Sequence, residues 1–439
     1  MKSESLSHLE EKIKNKTAKV GIAGLGYVGL PLAVAFSQAG FKVLGFDMQQ
    51  KRVDSVNKGQ SYIADISSES LSASVGNNLL QATKAQNQLK EMDAVCICVP
   101  TPLTKTKEPD LSYVIQESKV LSRFLQPDQL VVLESTTYPG TTREVMLPIL
   151  ERSGLKAGQD FYLAFSPERV DPGNKKYSIR NTPKVVGGID STSTKLAELL
   201  YRQVADVVVP VSSTEVAEMT KLFENVFRSV NIALVNELAQ LCEKMGISVW
   251  EVIDAASSKP FGYMPFYPGP GIGGHCIPLD PYYLSNKAGE YDFHTRFIEL
   301  AADINERMPH YVTSRIMEAL NTRGKSMKGA KVLVLGVAYK KDVGDIRESP
   351  SLKLIRLLRE KGAKVNYNDP YIQTVQIDQD ILVSIELTDE NLSLADCVII
   401  ATDHECYNLE KIVASSKLVF DSRGVTKGLK SDNIVRLGE

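Results

Sequence analysis

The sequence predicts an α/β protein in which two doubly wound parallel-sheet domains are joined by a long central helix and a helical dimerisation region. Three observations carry that prediction. Short apolar runs alternate with helical segments over about the first 190 residues, as βαβ units in a parallel sheet do. The stretch 213–245 contains neither glycine nor proline and repeats apolar residues every three or four positions, the helical period. The region from Lys331 onward then repeats the first in outline. At roughly 100–200 residues per domain, 439 residues leave room for two to four folded units. The expected division is 1–212, 213–322 and 323–439.

Taken in order, residues 18–24 (Ala-Lys-Val-Gly-Ile-Ala-Gly) are an apolar run entering a glycine cluster, followed by a helix-like stretch to about Gln38. This reads as strand, turn, helix. A second run, 41–46, ends at Asp47, and others follow at 94–99 and 130–133. In the long helix the apolar positions are Val216, Met219, Leu222, Phe223, Val226, Val230, Ala233, Leu234 and Leu238. At 1.5 Å per residue it would span roughly 45–50 Å, a length that suits a connector between lobes. Its exposed apolar positions invite a dimer. A further helical stretch, about 295–321, follows a Gly/Pro-rich segment at 260–281. The last region offers a strand at 331–335, Gly336, a helix at about 351–361, a strand at 364–367 and then Asp369, with later strands at 397–401 and 418–420. Both sheets are therefore expected to be Rossmann-like. The second one's first turn, Gly336-Val337-Ala338-Tyr339-Lys340, lacks a three-glycine spacing, so its expected ligand is not a second dinucleotide.

Hydrophobic residues make up 43% and charged residues 24% of the chain, which excludes disordered and collagen-like classes. The 51 basic and 53 acidic side chains nearly cancel, so there is no basic footprint for nucleic acid. No apolar run approaches the roughly 18 residues of a membrane span. The N-terminal stretch carries Glu10, Glu11, Lys12 and Lys14 instead of an apolar signal core, and a cytoplasmic location is expected. Six cysteines without a CxxC pair imply reduced thiols. Five histidines without HExxH or HxH spacing imply chemistry without metal.

Gly24-Leu25-Gly26-Tyr27-Val28-Gly29 is GxGxxG placed between a strand and a helix, and Asp47 follows at the end of the next strand. The first glycine permits a tight turn and the second lets a pyrophosphate approach the backbone. The third lets helix and strand pack closely, and the helix N-terminus offers N–H groups to the anion. Asp47 would accept hydrogen bonds from ribose hydroxyls, which favours NAD over NADP; Lys51 and Arg52 lie one turn on. Ser/Thr-rich turns at Val99-Pro100-Thr101-Pro102 and from Glu134 to Thr141 fall at successive strand ends, where open α/β sheets bind ligands.

The segment 265–281 holds four glycines and five prolines, so it must be a shaped loop. Cys276 stands near its end as a candidate nucleophile, with Asp280 four residues on and His275 beside it. Cys96, Cys98, Cys242 and Cys397 fit core positions, and Cys406 is ambiguous. Lys221 and Asn225 are i and i+4 on one helix face, where solvation is the default. Glu168, after an apolar strand, is by default a solvated loop acid.

The ordered motifs GLGYVG from Gly24, STTYPGT from Ser135, FSPERV from Phe165, the Lys221/Asn225 helix, GGHCIPLD from Gly273 and GVAYKKDVGDIRESPS from Gly336 resemble the UDP-glucose/GDP-mannose dehydrogenase family over nearly the whole chain. The run MPFYPGPGIGGHCIPLDPYYL from Met264 looks most like the branch of UDP-N-acetylglucosamine 6-dehydrogenases. That resemblance implies two successive NAD-dependent oxidations at the sugar C6, with Cys276 carrying the aldehyde as a thiohemiacetal and then a thioester. It implies that Lys221 and Asn225 stabilise an oxyanion and that Asp280 positions or deprotonates water. Glu168 and Thr136 match positions near the nicotinamide and its relay water. Tyr27, Val28 and Thr101 match the cofactor site, Asp47 and Arg52 the ribose end. Lys340 and Arg347 match residues that reach substrate and cofactor. Arg169, Phe266, Tyr267, Gly271 and Gly273 match the nucleotide-sugar site. One departure is Lys341-Asp342-Val343-Gly344-Asp345, where many relatives carry Thr or Asn and Asp before the Asp-x-Arg. The expected partners are a UDP-sugar and a second copy of the chain. The sugar's 2-substituent and C4 epimer stay open among N-acetylglucosamine, glucose, N-acetylgalactosamine and N-acetylmannosamine. A two-electron hydroxyacid dehydrogenase and a ligand sensor without turnover are the alternatives.

Overall fold

In the computed structural model the described residues are 2–63, 65–104, 107–171, 173–174, 176–274 and 277–439. They form two compact units, Met1–Glu224 with Tyr282–Asp292, and Asn225–Pro281 with Phe293–Glu439.

The first unit is built on eight strands: β1 Lys19–Ala23, β2 Lys42–Phe46, β3 Leu80–Thr83, β4 Ala94–Ile97, β5 Leu130–Leu133, β6 Tyr162–Phe165, β7 Lys184–Gly188 and β8 Val208–Val211. Their order is β3-β2-β1-β4-β5-β6-β7-β8. The chain winds outward from β1 in both directions, so the topological switch point lies between β1 and β4. Helices cover both faces, and strand side chains alternate between two cores. Val20, Ile22, Cys96 and Val132 belong to one; Val95, Ile97, Val131 and Leu133 belong to the other.

Two features depart from the sequence reading. β6 and β7 pair antiparallel. Among the described residues of the connection between them there is no helix, and a parallel return normally needs a helical crossover. A helix, Lys2–Lys14, precedes β1 and buries Leu9 and Ile13 in the first core.

The second unit holds β9 Lys331–Leu335, β10 Lys364–Asn368, β11 Thr374–Ile377, β12 Asp380–Val383, β13 Cys397–Ile400, β14 Val419–Asp421 and β15 Ile434–Arg436. Five of these form a parallel sheet in the order β10-β9-β13-β14-β15, with its switch point between β9 and β13. β11 and β12 form a separate antiparallel hairpin, which the sequence reading lacked.

The long helix spans Thr214–Met245, 32 residues, as its composition predicts. Leu222, Val226 and Ala233 are buried, whereas Val216, Met219, Phe223, Phe227, Leu234 and Leu241 are exposed. No helix of the described residues is long and apolar enough to cross a membrane.

Candidate active site

The three glycines of the β1 turn do three different physical jobs. Gly24 has φ +94°, and a Cβ there would lie 2.6 Å from the Cys98 carbonyl oxygen. A Cβ on Gly29 would lie 1.8 Å from the Gly24 oxygen, so only glycine lets the helix start against the turn. A Cβ on Gly26 would meet nothing within 4 Å. That opening is where a pyrophosphate fits, at the start of the helix Gly29–Gln38, whose N-cap Val28 supplies no side-chain cap. Tyr27 beside it is exposed. The turn is held by Asp47, whose Oδ2 accepts from Leu25 N at 3.0 Å and whose Oδ1 accepts from Gln49 N at 2.8 Å. Arg52 donates to the same carboxylate at 3.2 Å. The donor set fits a dinucleotide with free ribose hydroxyls.

The two Ser/Thr-rich turns are tied together, because Ser135 Oγ donates to the Val99 carbonyl at 2.7 Å. Thr101 is buried and its carbonyl accepts from Tyr283 Oη, while Thr136 is half-buried. The second turn is clamped from the long helix. Fully buried Glu218 accepts from Gly140 N at 2.6 Å, Thr142 N at 2.8 Å and Thr142 Oγ1 at 2.7 Å. Burial lifts the Glu218 pKa from 4.5 to about 7 against the pull of those donors. A carboxyl with a raised folded-state pKa adds stability that is complete below about pH 4.5 and is lost as pH rises through about 7. Wild-type protein is therefore expected to lose melting temperature relative to Glu218→Gln between pH 5 and pH 8. The loss corresponds to about 3 kcal/mol at about 1.4 kcal/mol per unit. Parallel pH slopes for the two proteins in a thermal-shift series would refute it.

Glu168 is not a solvated loop acid. Its Oε1 accepts from Arg169 N at 2.6 Å and Val170 N at 2.7 Å, and its Oε2 lies 3.4 Å from Lys184 Nζ. Burial works to raise its pKa, but Lys184, the two backbone donors and Lys221 outweigh it and the net shift is downward. Lys221, only 7% exposed, thus shares the electrostatic environment of Glu168. Arg169 turns the other way and forms a two-pronged ion pair with Glu224, at 2.5 and 3.2 Å.

In the second unit Asn225 is fully buried and its Nδ2 donates to Oδ2 of Asp280, itself 2% exposed at the start of the helix Asp280–Gly289. Arg228 donates to the Asn225 oxygen. The helix face carrying Lys221 and Asn225 is therefore interior, contrary to the solvated default. The Gly/Pro loop packs its glycines on the protein itself. A Cβ on Gly273 would lie 2.7 Å from Tyr339 Cβ and 2.9 Å from Pro350 Cδ, and one on Gly271 3.0 Å from Pro350 Cβ. Gly274 N donates to the Arg347 carbonyl at 3.0 Å. Phe266 meets Phe227 edge-on at 5.9 Å, and Tyr267 stacks on Trp250 at 6.0 Å. Cys276 and His275 lie outside the described residues.

The β9 turn repeats the logic of the β1 turn without its glycine triplet. Gly336 has φ +82°, and Asp369 at the end of β10 accepts from Val337 N at 2.8 Å and Ala338 N at 2.9 Å. His404 bridges Asp369, 3.1 Å from its Nε2, to the Asp342 N–H, which donates to Nδ1 at 2.9 Å. This shapes the segment between half-buried Lys340 and Arg347, whose guanidinium grips Asp345 at 2.6 and 2.9 Å. Arg423, beside Gly269, donates to the Ala401 carbonyl at 2.7 Å.

Asp369 closes β10 where the sequence places an acid after that strand, but sequence reasoning missed Glu134, Lys184, Tyr201, Glu218, His404 and Arg423. Each acts on a partner tens of residues away, and none stands in a local pattern that announces it. Among the described residues no group of three or more His, Cys, Asp and Glu side chains could hold a metal.

A glycine turn at the switch point of a doubly wound sheet, with an acid closing the second strand, defines a dinucleotide-binding α/β protein. Comparison with known proteins narrows this. Residues 18–205 match the NAD binding domain of the UDP-glucose/GDP-mannose dehydrogenase family, 215–307 its central domain and 333–428 its UDP binding domain. The chain belongs to that family and is an NAD-dependent UDP-sugar dehydrogenase. It is 36% identical to a UDP-N-acetyl-D-mannosamine dehydrogenase of Pyrococcus horikoshii, over 93% of this chain and 96% of that one. It is also 36% identical to a UDP-N-acetyl-D-glucosamine 6-dehydrogenase of Salmonella typhi, over 88% and 90%. The solved structure of the UDP-D-ManNAc dehydrogenase of Pyrococcus horikoshii superposes with a TM-score of 0.88 at 34% identity, covering 96% of this chain and 99% of that one.

Proposed function

We propose that the chain oxidises a UDP-N-acetylhexosamine, UDP-N-acetylglucosamine foremost, at C6 to the uronic acid. The product class is a precursor for surface polysaccharide. The single observation that supports this most is the buried Asn225–Asp280 pair, in which Asp280 stands four residues after Cys276 in the sequence and Asn225 four residues after Lys221 on the long helix. NAD, which the Gly24–Gly29 turn with Asp47 and Arg52 would hold, would supply the hydride acceptor for each of the two oxidations. The Cys276 thiolate adds to the C6 aldehyde, and Lys221 with Asn225 stabilises the oxygen that becomes negative. Preorganised donors of this kind contribute roughly 3–4 kcal/mol each in other enzymes. After the second oxidation the C6–sulfur bond is a thioester. Water positioned by Asp280 attacks it, the C–S bond breaks, and carboxylate and thiolate separate. Holding the aldehyde on sulfur prevents its escape.

Glu168 and Thr136 serve the relay water, Thr101, Asp47 and Arg52 the cofactor, and Arg169, Phe266, Tyr267, Gly271, Gly273, Lys340 and Arg347 the nucleotide-sugar or cofactor. Segment 1–212 is the cofactor module, 213–322 the catalytic and pairing module, and 323–439 the UDP module. The enzyme works in the cytoplasm as a homodimer or larger oligomer paired through the long helix.

Pure protein is expected to release two NADH per UDP-N-acetylglucosamine, measured by absorbance beside UDP-glucose, UDP-N-acetylgalactosamine and UDP-N-acetylmannosamine. One NADH per sugar with free aldehyde rejects the four-electron reading. A preference for another UDP-sugar corrects the substrate alone.

A further inference from the structure

A chain of buried polar groups runs behind Glu168 and belongs to no motif of the sequence. Lys184, the first residue of β7, is 5% exposed at its side chain and donates to Glu134 Oε2 at 2.6 Å, while Glu168 Oε2 lies 3.4 Å away on its other side. Glu134 closes β5 with its side chain fully buried, and its other oxygen accepts from Tyr201 Oη. Tyr201 in turn lies 3.6 Å from Cys96 Sγ, and its ring sits under the Lys184 ammonium at 5.1 Å. A lysine this deep is costly unless its charge is matched. Here two carboxylates from neighbouring strand ends match it. One is anchored behind by tyrosine, and the other lies at the residue matched to the relay water.

We propose that Lys184, held from behind by Glu134, is a positioning residue that aims the Glu168 carboxylate for the reaction. This rests on the assignment of Glu168 to the chemistry. The charged and titratable groups facing Glu168 are Lys184 from β7, Lys221 from the long helix, and Glu134 and Cys98 from the ends of β5 and β4. Both cations favour the carboxylate, whereas Glu134 disfavours it. Without Lys184, burial and Glu134 act together and Glu168 takes up a proton more readily. Glu168 then no longer serves as a proton acceptor at the acidic end of the working range. Glu134 stabilises the lysine's position and reaches the reaction only through it.

The test compares wild type with Lys184→Met, Lys184→Arg, the double variant Lys184→Met/Glu134→Gln, and Glu168→Gln. The double variant removes the lysine together with its inner counter-ion, so it leaves no unmatched charge at Glu134 should Lys184→Met fail to fold. Two readouts are needed: the pH profile of kcat/KM, and an infrared titration of carboxyl-13C-glutamate in protein without cofactor, with Glu168→Gln as the blank. The acid limb and the Glu168 infrared titration are expected to move together to higher pH, by about one unit or more in Lys184→Met and by less in the double variant, where loss of the Glu134 charge offsets part of the shift. Lys184→Arg is expected to restore most of that shift. A folded Lys184→Met that keeps the wild-type acid limb and titration overturns the proposal; should that variant not fold, a double variant in which neither moves upward does so, because Lys184 acts on Glu168 more strongly than Glu134 does. Wild-type turnover by Glu168→Gln would instead overturn the assignment of Glu168, a separate result because the infrared shift on losing Lys184 does not depend on turnover.

Discussion

Replacing Cys276 by serine is expected to lower turnover at least about 10^3-fold, the scale on which removing a covalent nucleophile acts in other enzymes. A few per cent of an ordinary cysteine is thiolate at pH 7 and highly nucleophilic, whereas a serine hydroxyl without a paired base is neither. The serine variant can still bind UDP-sugar and NAD, since its side chain is close to isosteric. The loss should therefore fall on kcat, with substrate affinity within a few-fold of wild type. Stopped-time NADH absorbance and intact mass of the quenched protein check this. Wild type is expected to carry a sugar adduct during turnover, and the variant none. Full turnover by Cys276→Ser would favour the two-electron hydroxyacid dehydrogenase, in which a lysine moves the proton and no thiol is required.

The second large effect separates two glycines three residues apart. Gly29→Ala would place a methyl 1.8 Å from the Gly24 carbonyl oxygen, a backbone atom that cannot swing aside. The helix must lift from β1, at a cost of about 3 kcal/mol, the upper end of what overpacking a tight site costs. Gly26→Ala meets nothing within 4 Å in the protein itself, so its stability should stay within about 0.5 kcal/mol of wild type. Its methyl would stand where the pyrophosphate must approach the backbone. NAD affinity is expected to drop about 100-fold, because close phosphate contact is lost while the fold persists. Thermal melts distinguish the variants in the first respect, and quenching of NADH fluorescence in the second. If Gly26→Ala binds NADH like wild type, the dinucleotide is not bound at this turn.

The strand, turn and helix around Gly24 are legible because every residue that makes them lies within the thirty or so positions from β1 to Asp47, and local spacing encodes local geometry. The 32-residue helix is legible for the same reason, through its unbroken period and lack of glycine and proline. Residue types at Lys221, Asn225, Glu168 and Asp280 could be matched to a family, yet their surroundings could not be inferred. Lys221 and Asn225 read as a solvated face and are interior. The antiparallel β6–β7 pair was illegible because strand direction depends on how the 18-residue connection between the two strands returns, which no period records.

By itself, then, the order of residues determined the alternation of strands and helices, the phosphate turn with its acid, and the presence of a thiol in a glycine-rich loop. All of these follow from backbone allowances and periodicity acting over short stretches. Only the tertiary structure decided that Glu134, Lys184 and Glu168, fifty and sixteen residues apart, share one buried charge cluster. It also decided that Glu218 caps a distant turn and that Asn225 grips Asp280. The physical reason is that burial and Coulomb energy depend on distance through space, and a folded sheet places strand ends together whatever their separation along the chain.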